Sequence, residues 1–296
     1  MKVVKKSSII CTHIFLCLGV ILMLYPFVFA FLGMFKTIEG FYEVGILPVP
    51  DGIGYGISNL RIIFRRTEIY RSILITLGYA AISVLISVLG GYAFAKVNFR
   101  FKKVAFYIIM STMMIPGIAL LIPQYLELMR FPLVGGNDIT GHGGVGFRDN
   151  IAVLFITGWI SAYNIFLVQQ SLRQIGDDYR EAAEIDGAGF FRVIFSIYMP
   201  MLKPIVALMV LQTFIGQWND YLFPVLFLPS ARSLWPIGVL SVKIQSDYLY
   251  TAGTGGLMNY PMVMAMGVFM MIPPIAVYIT CQRYFIQGIT LGGVKS

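Results

Sequence analysis

The chain has 296 residues, of which 58% are apolar and only 12% are charged, and its net charge is +8. A soluble domain is about 25% charged, so this composition excludes a water-soluble globule and, still more firmly, an intrinsically disordered chain. In a soluble protein the positive charge would suggest a nucleic-acid partner, whereas in a membrane protein it reports the basic bias of cytoplasmic loops. The composition therefore predicts an all-α membrane protein.

Six apolar runs are each long enough to cross about 30 Å of hydrocarbon as a helix. The six predicted transmembrane helices cover residues 10–35, 72–95, 104–126, 150–172, 204–223 and 261–282. The first run follows lysines, as a signal peptide would, but its apolar stretch is about twice the usual length and no small-residue cleavage site follows, which favours a retained span. No segment between spans resembles a linker, so residues 1–296 are predicted to form a single membrane domain.

Basic residues predict the orientation, because cytoplasmic loops are enriched in lysine and arginine. With both termini inside, 13 of the 22 basic residues fall on the cytoplasmic side. The short basic loop 96–103 is the strongest support for this orientation, while segment 61–71, with its four arginines, opposes it. That segment lies in a long loop, which counts weakly, and the isoleucines between its arginines are consistent with a short interfacial helix.

The glycine-rich segment 135–146 is predicted to be a flexible external loop. Residues 141–146 read GHGGVG and match G-x-G-x-x-G literally, but no strand precedes them, so a dinucleotide site is strongly disfavoured. The two histidines and three cysteines have neither metal-ligand nor catalytic-triad spacing. No Gly-Lys dipeptide occurs, so the phosphate-binding loop motif is absent. We expect no enzyme activity and no cofactor on this chain, with ATP and Mg²⁺ bound by a partner subunit.

The most unusual segment is residues 173–203, between the fourth and fifth predicted spans. Residues 177–189 read DDYREAAEIDGAG, which predicts a short acidic helix ending at the turn signal Asp186-Gly187. Apolar residues then recur at i, i+3, i+4 and i+7 and predict one apolar face on a second helix: Phe191, Ile194, Phe195 and Tyr198. The anionic inner leaflet would repel the acidic helix, so a protein partner is favoured over lipid headgroups.

This segment resembles the EAA loop of ATP-binding cassette importer permeases. The family pattern of EAA, Asp-Gly-Ala, an Ile-x-Leu-Pro step and a further proline is matched by Glu181-Ala182-Ala183, Asp186-Gly187-Ala188, Ile197-Tyr198-Met199-Pro200 and Pro204. Met199 replaces the usual leucine, a near-isosteric change, and Gly176 stands where a proline is common.

Other stretches resemble carbohydrate-uptake permeases and, at the C-terminus, the inner-membrane subunit of maltose-type importers. They read GYAFA at 91–95, MIPG at 114–117, WNDYLFP at 218–224 and QRYFIQGIT at 282–290. The resemblance implies six transmembrane helices with a cytoplasmic coupling helix, in the bacterial inner membrane with both termini cytoplasmic. It also implies a heterodimer with a second homologous permease, two ATP-binding cassette ATPase subunits and an extracytoplasmic sugar-binding protein.

By this resemblance, one set of residues couples the chain to the ATPase: Glu181, Ala182, Ala183, Asp186, Gly187, Ala188, Ile197 and Pro200. We expect the carboxylate of Glu181 to pair with a basic residue of the ATPase, and the alanines to permit close approach. Gly187 is expected to make the turn, because glycine adopts left-handed backbone geometry without steric cost.

Sugars are bound by aromatic faces and by amide or carboxylate hydrogen bonds, and polar groups at membrane depth face protein or water. The candidate substrate-path residues are Trp159, Tyr163, Asn164, Gln212, Gln217, Trp218, Asn219 and Asp220. A structural role, such as anchoring at the membrane interface, is open for each of them. The resemblance also suggests an external loop that enters the binding protein's cleft, although a flexible connector is an equal alternative: Tyr248, Tyr250, Thr251, Gly253 and Gly255.

The predicted function is therefore that of a transmembrane permease subunit of an ATP-driven, binding-protein-dependent importer of a sugar, with an oligosaccharide favoured. The alternative is a stand-alone secondary transporter of a polar solute. Such a transporter would have paired ionisable residues inside its spans and pseudo-symmetric halves, and the sequence has neither.

Overall fold

The computed structural model describes residues 6–158, 160–249 and 256–292, and every regular element within these ranges is helical. The helices up to residue 173 are α1 (Lys6–Gly33), α2 (Ile38–Phe41), α3 (Ile53–Phe64), α4 (Thr67–Lys96), α5 (Lys102–Thr112), α6 (Gly117–Met129), α7 (Ala152–Gly158) and α8 (Ala162–Arg173). Those that follow are α9 (Asp178–Ile185), α10 (Phe190–Arg192), a π-helix (Val193–Tyr198), α11 (Met199–Met201), α12 (Lys203–Asn219), α13 (Leu222–Phe227), a 3₁₀ turn (Arg232–Leu234), α14 (Ile237–Leu249) and α15 (Tyr260–Gly292).

Three helices are long and apolar enough to cross a membrane, namely α4 and the segments Ile10–Gly33 of α1 and Tyr260–Tyr284 of α15. Two more spans are possible if α5 with α6, and Phe190–Met201 with α12, are each counted as one bent span. The described residues thus contain three to five candidate spans by length and composition, and the count of six stays a prediction.

The third predicted span, 104–126, is not one straight helix, because α5 and α6 meet at an angle of 106°. Ser111 and Thr112 end α5 by donating their hydroxyl protons to the carbonyl oxygens of Ile108 and Ile109, at 2.7 and 2.6 Å. Pro116 precedes α6, and a proline both lacks an amide donor and disfavours helical geometry in the residue before it. This proline lies in the MIPG stretch, so the sequence already carried a signal for the break.

The fourth and fifth predicted spans also differ from the helices observed. Span 150–172 is divided into α7 and α8, and Ser161 caps the start of α8 by accepting a hydrogen bond from the Asn164 amide at 3.2 Å. Span 204–223 ends early, because α12 stops at Asn219 and Asp220 has extended backbone geometry. The Asp220 carboxylate accepts a hydrogen bond from the Phe223 amide, which caps the start of α13.

The chain divides into two units, of which one comprises the residues up to Thr67 together with Ser241–Pro273. In this unit Lys36 and Asp51 form an ion pair at 2.6 Å, and the Thr37 amide donates to the same carboxylate at 2.8 Å. Gly56 of α3 lies directly against Phe35, which brings α3 close to the end of α1.

The other unit comprises Glu68–Leu240 and Pro274–Ser296 and contains two buried apolar clusters. One joins α4 and α8 to segment 173–203 and to α12: Val84, Val88, Tyr92, Val168, Leu172, Ala183, Val193, Ile194, Tyr198, Leu202 and Met209. The other joins α6 and α7 to α13 and the start of α14: Leu128, Phe147, Val153, Leu154, Phe227, Leu228, Trp235 and Val239.

Candidate functional site

The acidic helix and the turn predicted within residues 173–203 are both present. Helix α9 carries Asp178 and Glu181 in its first turn, where carboxylates favour the helix dipole. Gly187 ends the turn in left-handed geometry, with φ of +77° and open space where a side chain would stand. Within the described part of the chain, the left-handed backbone favours glycine here, whereas no neighbouring residue would obstruct a side chain.

The second helix has a different buried face from the one predicted. Residues Val193–Tyr198 form a π-helix, whose hydrogen bonds run from i to i+5. This wider turn places Val193, Ile194 and Tyr198 together in the core, while Phe191 is 64% exposed. The prediction that Phe191 and Phe195 share the face of Ile194 was wrong, because it assumed the spacing of an α-helix.

Lys96, the last residue of α4, fixes the base of this segment. Its side chain is only 6% exposed, and its ammonium group donates to the Ile175 carbonyl at 2.5 Å and the Asp177 carboxylate at 2.8 Å. The same group lies 5.5 Å from the centre of the Tyr198 ring. The hydrogen bond from Lys96 is the main reason why the pKa of Asp177 lies below its usual value. From the sequence, Lys96 is only a marker of topology, because its partners lie about 80 residues away.

The predicted coupling residues divide into an inner and an outer group. Ala183 is buried in the apolar cluster around α4, so the expectation that it provides close approach to a partner was wrong. The Ala188 amide donates to the Ala183 carbonyl at 2.8 Å, and Ile197 packs beside the same cluster. The exposed members are Glu181, Ala182, Asp186, Gly187 and Pro200.

The outer surface of α9 and its turn, which we call the hairpin tip, is both acidic and apolar. Ile185, on this surface, is 86% exposed, and Tyr179 is 54% exposed. Arg180 pairs with Glu184 at 3.2 Å, whereas Glu181 and Asp186 form no ion pair within the described part of the chain. The hairpin tip therefore presents a large apolar side chain outward beside carboxylates that have no ion-pair partner among the described residues.

A second candidate site is a polar cavity of about 210 Å³ beside the break between α7 and α8. Its lining is entirely uncharged: Ser83, Ser161, Tyr163, Asn164, Gln212, Thr213, Gly216 and Gln217. The side-chain amide of Asn164 donates to the Thr213 hydroxyl at 3.2 Å and so connects α8 to α12. The structure thus brings together Tyr163, Asn164, Gln212 and Gln217 from the predicted substrate path.

Three other substrate-path candidates, Trp218, Asn219 and Asp220, do not line this cavity. Trp218 is buried and lies 5.2 Å from Phe214, ring centre to ring centre, and so is a core residue. The side-chain amide of Asn219 donates to the Ile215 carbonyl of its own helix at 2.9 Å. The Asp220 carboxylate caps α13. Trp159 lies outside the described residues.

A comparison with known proteins decides the family. Residues 86–291 match the family described as "Binding-protein-dependent transport system inner membrane component". This range covers more than half of the chain and includes Lys96, the hairpin tip and nearly all of the polar cavity. The chain belongs to this family.

Two curated relatives extend the match over nearly the whole permease. The arabinooligosaccharides transport system permease protein AraQ of Bacillus subtilis (strain 168) is 28% identical over 285 residues, 93% of this chain and 92% of AraQ. The sn-glycerol-3-phosphate transport system permease protein UgpE of Yersinia enterocolitica is 27% identical over 294 residues, 96% of this chain and 97% of UgpE.

A solved structure shows the same fold. It is a chain from the crystal structure of a bacterial ABC transporter involved in the import of the acidic polysaccharide alginate, with a TM-score of 0.75 and 24% identity. The match covers 96% of the permease and all of that chain. The expected fold class, an all-α membrane protein with the fold of an ABC importer permease, is confirmed, as is a multi-pass inner-membrane component of a transport system.

The segment predicted to enter the binding protein is described only at its start. Tyr248 lies near the end of α14, with the guanidinium of Arg66 at 5.2 Å from its ring centre. The other four residues of that prediction lie outside the described residues: Tyr250, Thr251, Gly253 and Gly255.

The glycine-rich loop 135–146 is the clearest disagreement with the sequence analysis, which predicted a flexible connector. The buried side chain of Asn137 donates from Nδ2 to the carbonyl oxygens of Met129 and Phe131, at 2.9 and 3.0 Å. Its Oδ1 atom accepts a hydrogen bond from the backbone N–H of Gly144 at 2.9 Å. The Asp138 carboxylate accepts from the backbone amide of His142 and the hydroxyl of Thr140, which lower its pKa to about 2. Side chains that bond to the backbone across the loop give it a fixed structure.

Proposed function

We propose that this permease forms half of the translocation pore of an ATP-driven importer that receives a carbohydrate from an extracytoplasmic binding protein. The support is the family match, together with relatives named for the transport of arabinooligosaccharides and sn-glycerol-3-phosphate. The uncharged cavity of hydroxyl and amide groups agrees in chemistry with a hydroxyl-rich substrate. We propose that Tyr163, Asn164 and Gln217 contact that substrate.

The complete transporter, in this proposal, contains a second homologous permease, two ATPase subunits and the binding protein. The chain itself is not an enzyme, because ATP and Mg²⁺ bind to the ATPase subunits. Both termini and residues 173–203 lie in the cytoplasm, on the side of the ATPase. Residues 248–255 belong to the opposite side and contact the binding protein.

The hairpin tip is the observation that carries the coupling role. It presents Glu181, Ile185 and Asp186 outward, while Lys96 and Ala183 fix its base to α4 and α8. A surface that is exposed at its tip and rigid at its base transmits a displacement by the ATPase to the spans. We propose that the tip docks in the ATPase and moves α4 and α8 when the ATPase closes.

Replacing Gly187 with glutamate tests this docking. No described residue lies within 4 Å of a Cβ atom at position 187, so only backbone strain of about 1–2 kcal/mol opposes Gly187→Glu, and the permease is expected to stay inserted and folded. Co-purification of the ATPase with affinity-tagged permease should fall at least tenfold, because the new carboxylate would stand in the interface.

The matched control is Gly45→Glu, which adds the same side chain at another open position, in a loop predicted to lie on the opposite side. We expect this variant to retain the ATPase. If Gly187→Glu retains as much ATPase as Gly45→Glu does, the hairpin tip is not the docking surface.

A further inference from the structure

A third cavity, of about 690 Å³, lies where α4 ends, α5 begins and α8 ends. Its lining includes three basic residues, three amide side chains and five apolar or aromatic residues: Lys102, Lys103, Arg173, Asn98, Gln169, Gln170, Phe94, Phe106, Tyr107, Met110 and Phe166. Neither the family match nor the proposed function assigns a ligand to it.

The basic side of this cavity carries a net positive charge: Asp177, which attracts Lys102, is itself already paired with Lys96. Among the described residues, no ion pair involves Lys102, Lys103 or Arg173. The Lys102 ammonium donates to the carbonyls of Ala95 and Val97, at 3.2 and 2.8 Å, and Arg173 repels it electrostatically. Three cations gathered in one concave surface favour an anion.

One residue that lines the cavity, Gln169, has a buried hydrogen-bond acceptor without a donor. Gln169 is 1% exposed, and its side-chain oxygen Oε1 has no hydrogen-bond partner within the described part of the chain. Leaving such an oxygen unpaired costs about 1–3 kcal/mol, so a buried acceptor of this kind normally bonds to a donor. A ligand with a hydroxyl beside its anionic group would supply the missing donor.

The other side of the cavity is apolar and faces outward from the helices. Phe94 and Phe106 lie 5.5 Å apart, ring centre to ring centre, and Met110 continues the apolar lining. On the same helix, Tyr107 is 71% exposed and Ile108 is 61% exposed. Exposed apolar side chains on a candidate membrane span contact acyl chains, so the cavity borders the hydrocarbon.

We propose that this cavity binds an anionic phospholipid with a hydroxyl-bearing headgroup, of the phosphatidylglycerol type. The phosphate lies among Lys102, Lys103 and Arg173, and a headgroup hydroxyl donates to the Oε1 atom of Gln169. The acyl chains run along Phe106 and Met110. Basic pockets at the ends of transmembrane helices are suited to such headgroups because they supply cations beside an apolar wall.

Native mass spectrometry of the detergent-purified permease with added lipid tests the charge requirement. We expect phosphatidylglycerol to bind and phosphatidylcholine of the same acyl chains to bind at least tenfold more weakly. The double variant Lys103→Gln/Arg173→Gln should lose about 25-fold in affinity, or roughly fivefold for each basic residue near an anionic headgroup. The control Arg100→Gln/Arg192→Gln removes two cations outside the cavity and should bind as the unmodified protein does.

Gln169→Leu tests the hydroxyl contact with a smaller and more specific effect. The unmodified permease should prefer phosphatidylglycerol over phosphatidic acid, which has the phosphate without the glycerol, by several-fold. Gln169→Leu should bind both lipids equally, with the affinity for phosphatidic acid unchanged. Inorganic phosphate at millimolar concentration should not displace the lipid, since it lacks the acyl chains.

Equal loss of lipid in the two double variants would overturn the proposal, because it would show a general effect of surface charge. Displacement by inorganic phosphate would also overturn it and assign the cavity to a free anion. These readouts use lipid binding alone, so they are independent of whether the permease docks an ATPase or transports a sugar.

Discussion

Two loops of this permease use glycine for opposite reasons. In the glycine-rich loop 135–146, Gly135 and Gly144 lie against backbone atoms of the loop itself, and Gly141 lies against the Arg130 backbone just after α6. A side chain at Gly146 would overlap the carbonyl oxygens of Leu128 and Met129. At the hairpin tip, Gly187 has comparable left-handed geometry but faces open space. The first loop needs its glycines to form its own structure, whereas the second leaves a surface open, where we propose that the ATPase docks.

The largest structural effect is expected for Gly146→Ala. A left-handed alanine costs about 1–2 kcal/mol, and the overlap with two backbone carbonyls cannot be relieved by a side-chain rotation, so we expect a loss of about 3 kcal/mol. The apparent unfolding temperature of the detergent-purified permease measures it. Gly45→Ala, at an open position, serves as the control. Equal unfolding temperatures for the two variants would mean that the glycine-rich loop is not packed as described.

Lys96→Met is expected to have an intermediate effect, because it removes the connection between α4 and the base of the hairpin. It leaves the Ile175 carbonyl without its donor and Asp177 without its cation, for a loss of about 2 kcal/mol. Lys243→Met breaks an ion pair whose two side chains are each 36% exposed, and it should cost less than about 1 kcal/mol.

The effect of Lys96→Met should also depend on pH. Lys96 lowers the pKa of Asp177 from its usual value of 3.8, so the ion pair stabilises the permease above that pH and is lost as the pH falls through the lowered value. The difference in unfolding temperature between Lys96→Met and the unmodified protein should therefore narrow below about pH 4. A constant difference from pH 7 to pH 3 would contradict the assigned pair.

Gly187→Ala should destabilise the permease less than Gly146→Ala or Lys96→Met, by about 1 kcal/mol, because only backbone strain opposes it. Asparagine tolerates left-handed geometry better than alanine, so Gly187→Asn should unfold at a higher temperature than Gly187→Ala. A loss in Gly187→Ala as large as that in Gly146→Ala would remove the distinction between the two loops.

Local signals in the sequence were sufficient for the acidic helix α9, the turn at Gly187 and the long helices α1, α4 and α15. The bend between α5 and α6 could have been predicted from Pro116, whose effect on the preceding residue is local. The buried face of the second helix could not, because the i, i+3, i+4, i+7 pattern assumes the turn of an α-helix, and Val193–Tyr198 is a π-helix.

Contacts between distant residues were beyond the sequence analysis. Lys96 pairs with Asp177, and Asn137 closes the glycine-rich loop through its side chain, and neither contact has a spacing rule. In the candidate substrate path, Gln217 lines the polar cavity, whereas its neighbour Trp218 is buried in the core. Adjacent residues share the same sequence surroundings, so only the fold shows which of them faces the cavity.

The most direct test of the docking surface measures the accessibility of its most exposed apolar residue. In a variant with Cys11, Cys17 and Cys281 replaced by alanine, we would compare the thiol-labelling rates of Ile185→Cys and Ile139→Cys, residues that are 86% and 77% exposed. Labelling uses detergent-purified permease with and without its cognate ATPase. We predict that the ATPase slows labelling at position 185 at least tenfold and leaves position 139 unchanged. An unchanged rate at position 185 in a complex that contains bound ATPase would contradict the proposal that the hairpin tip docks there.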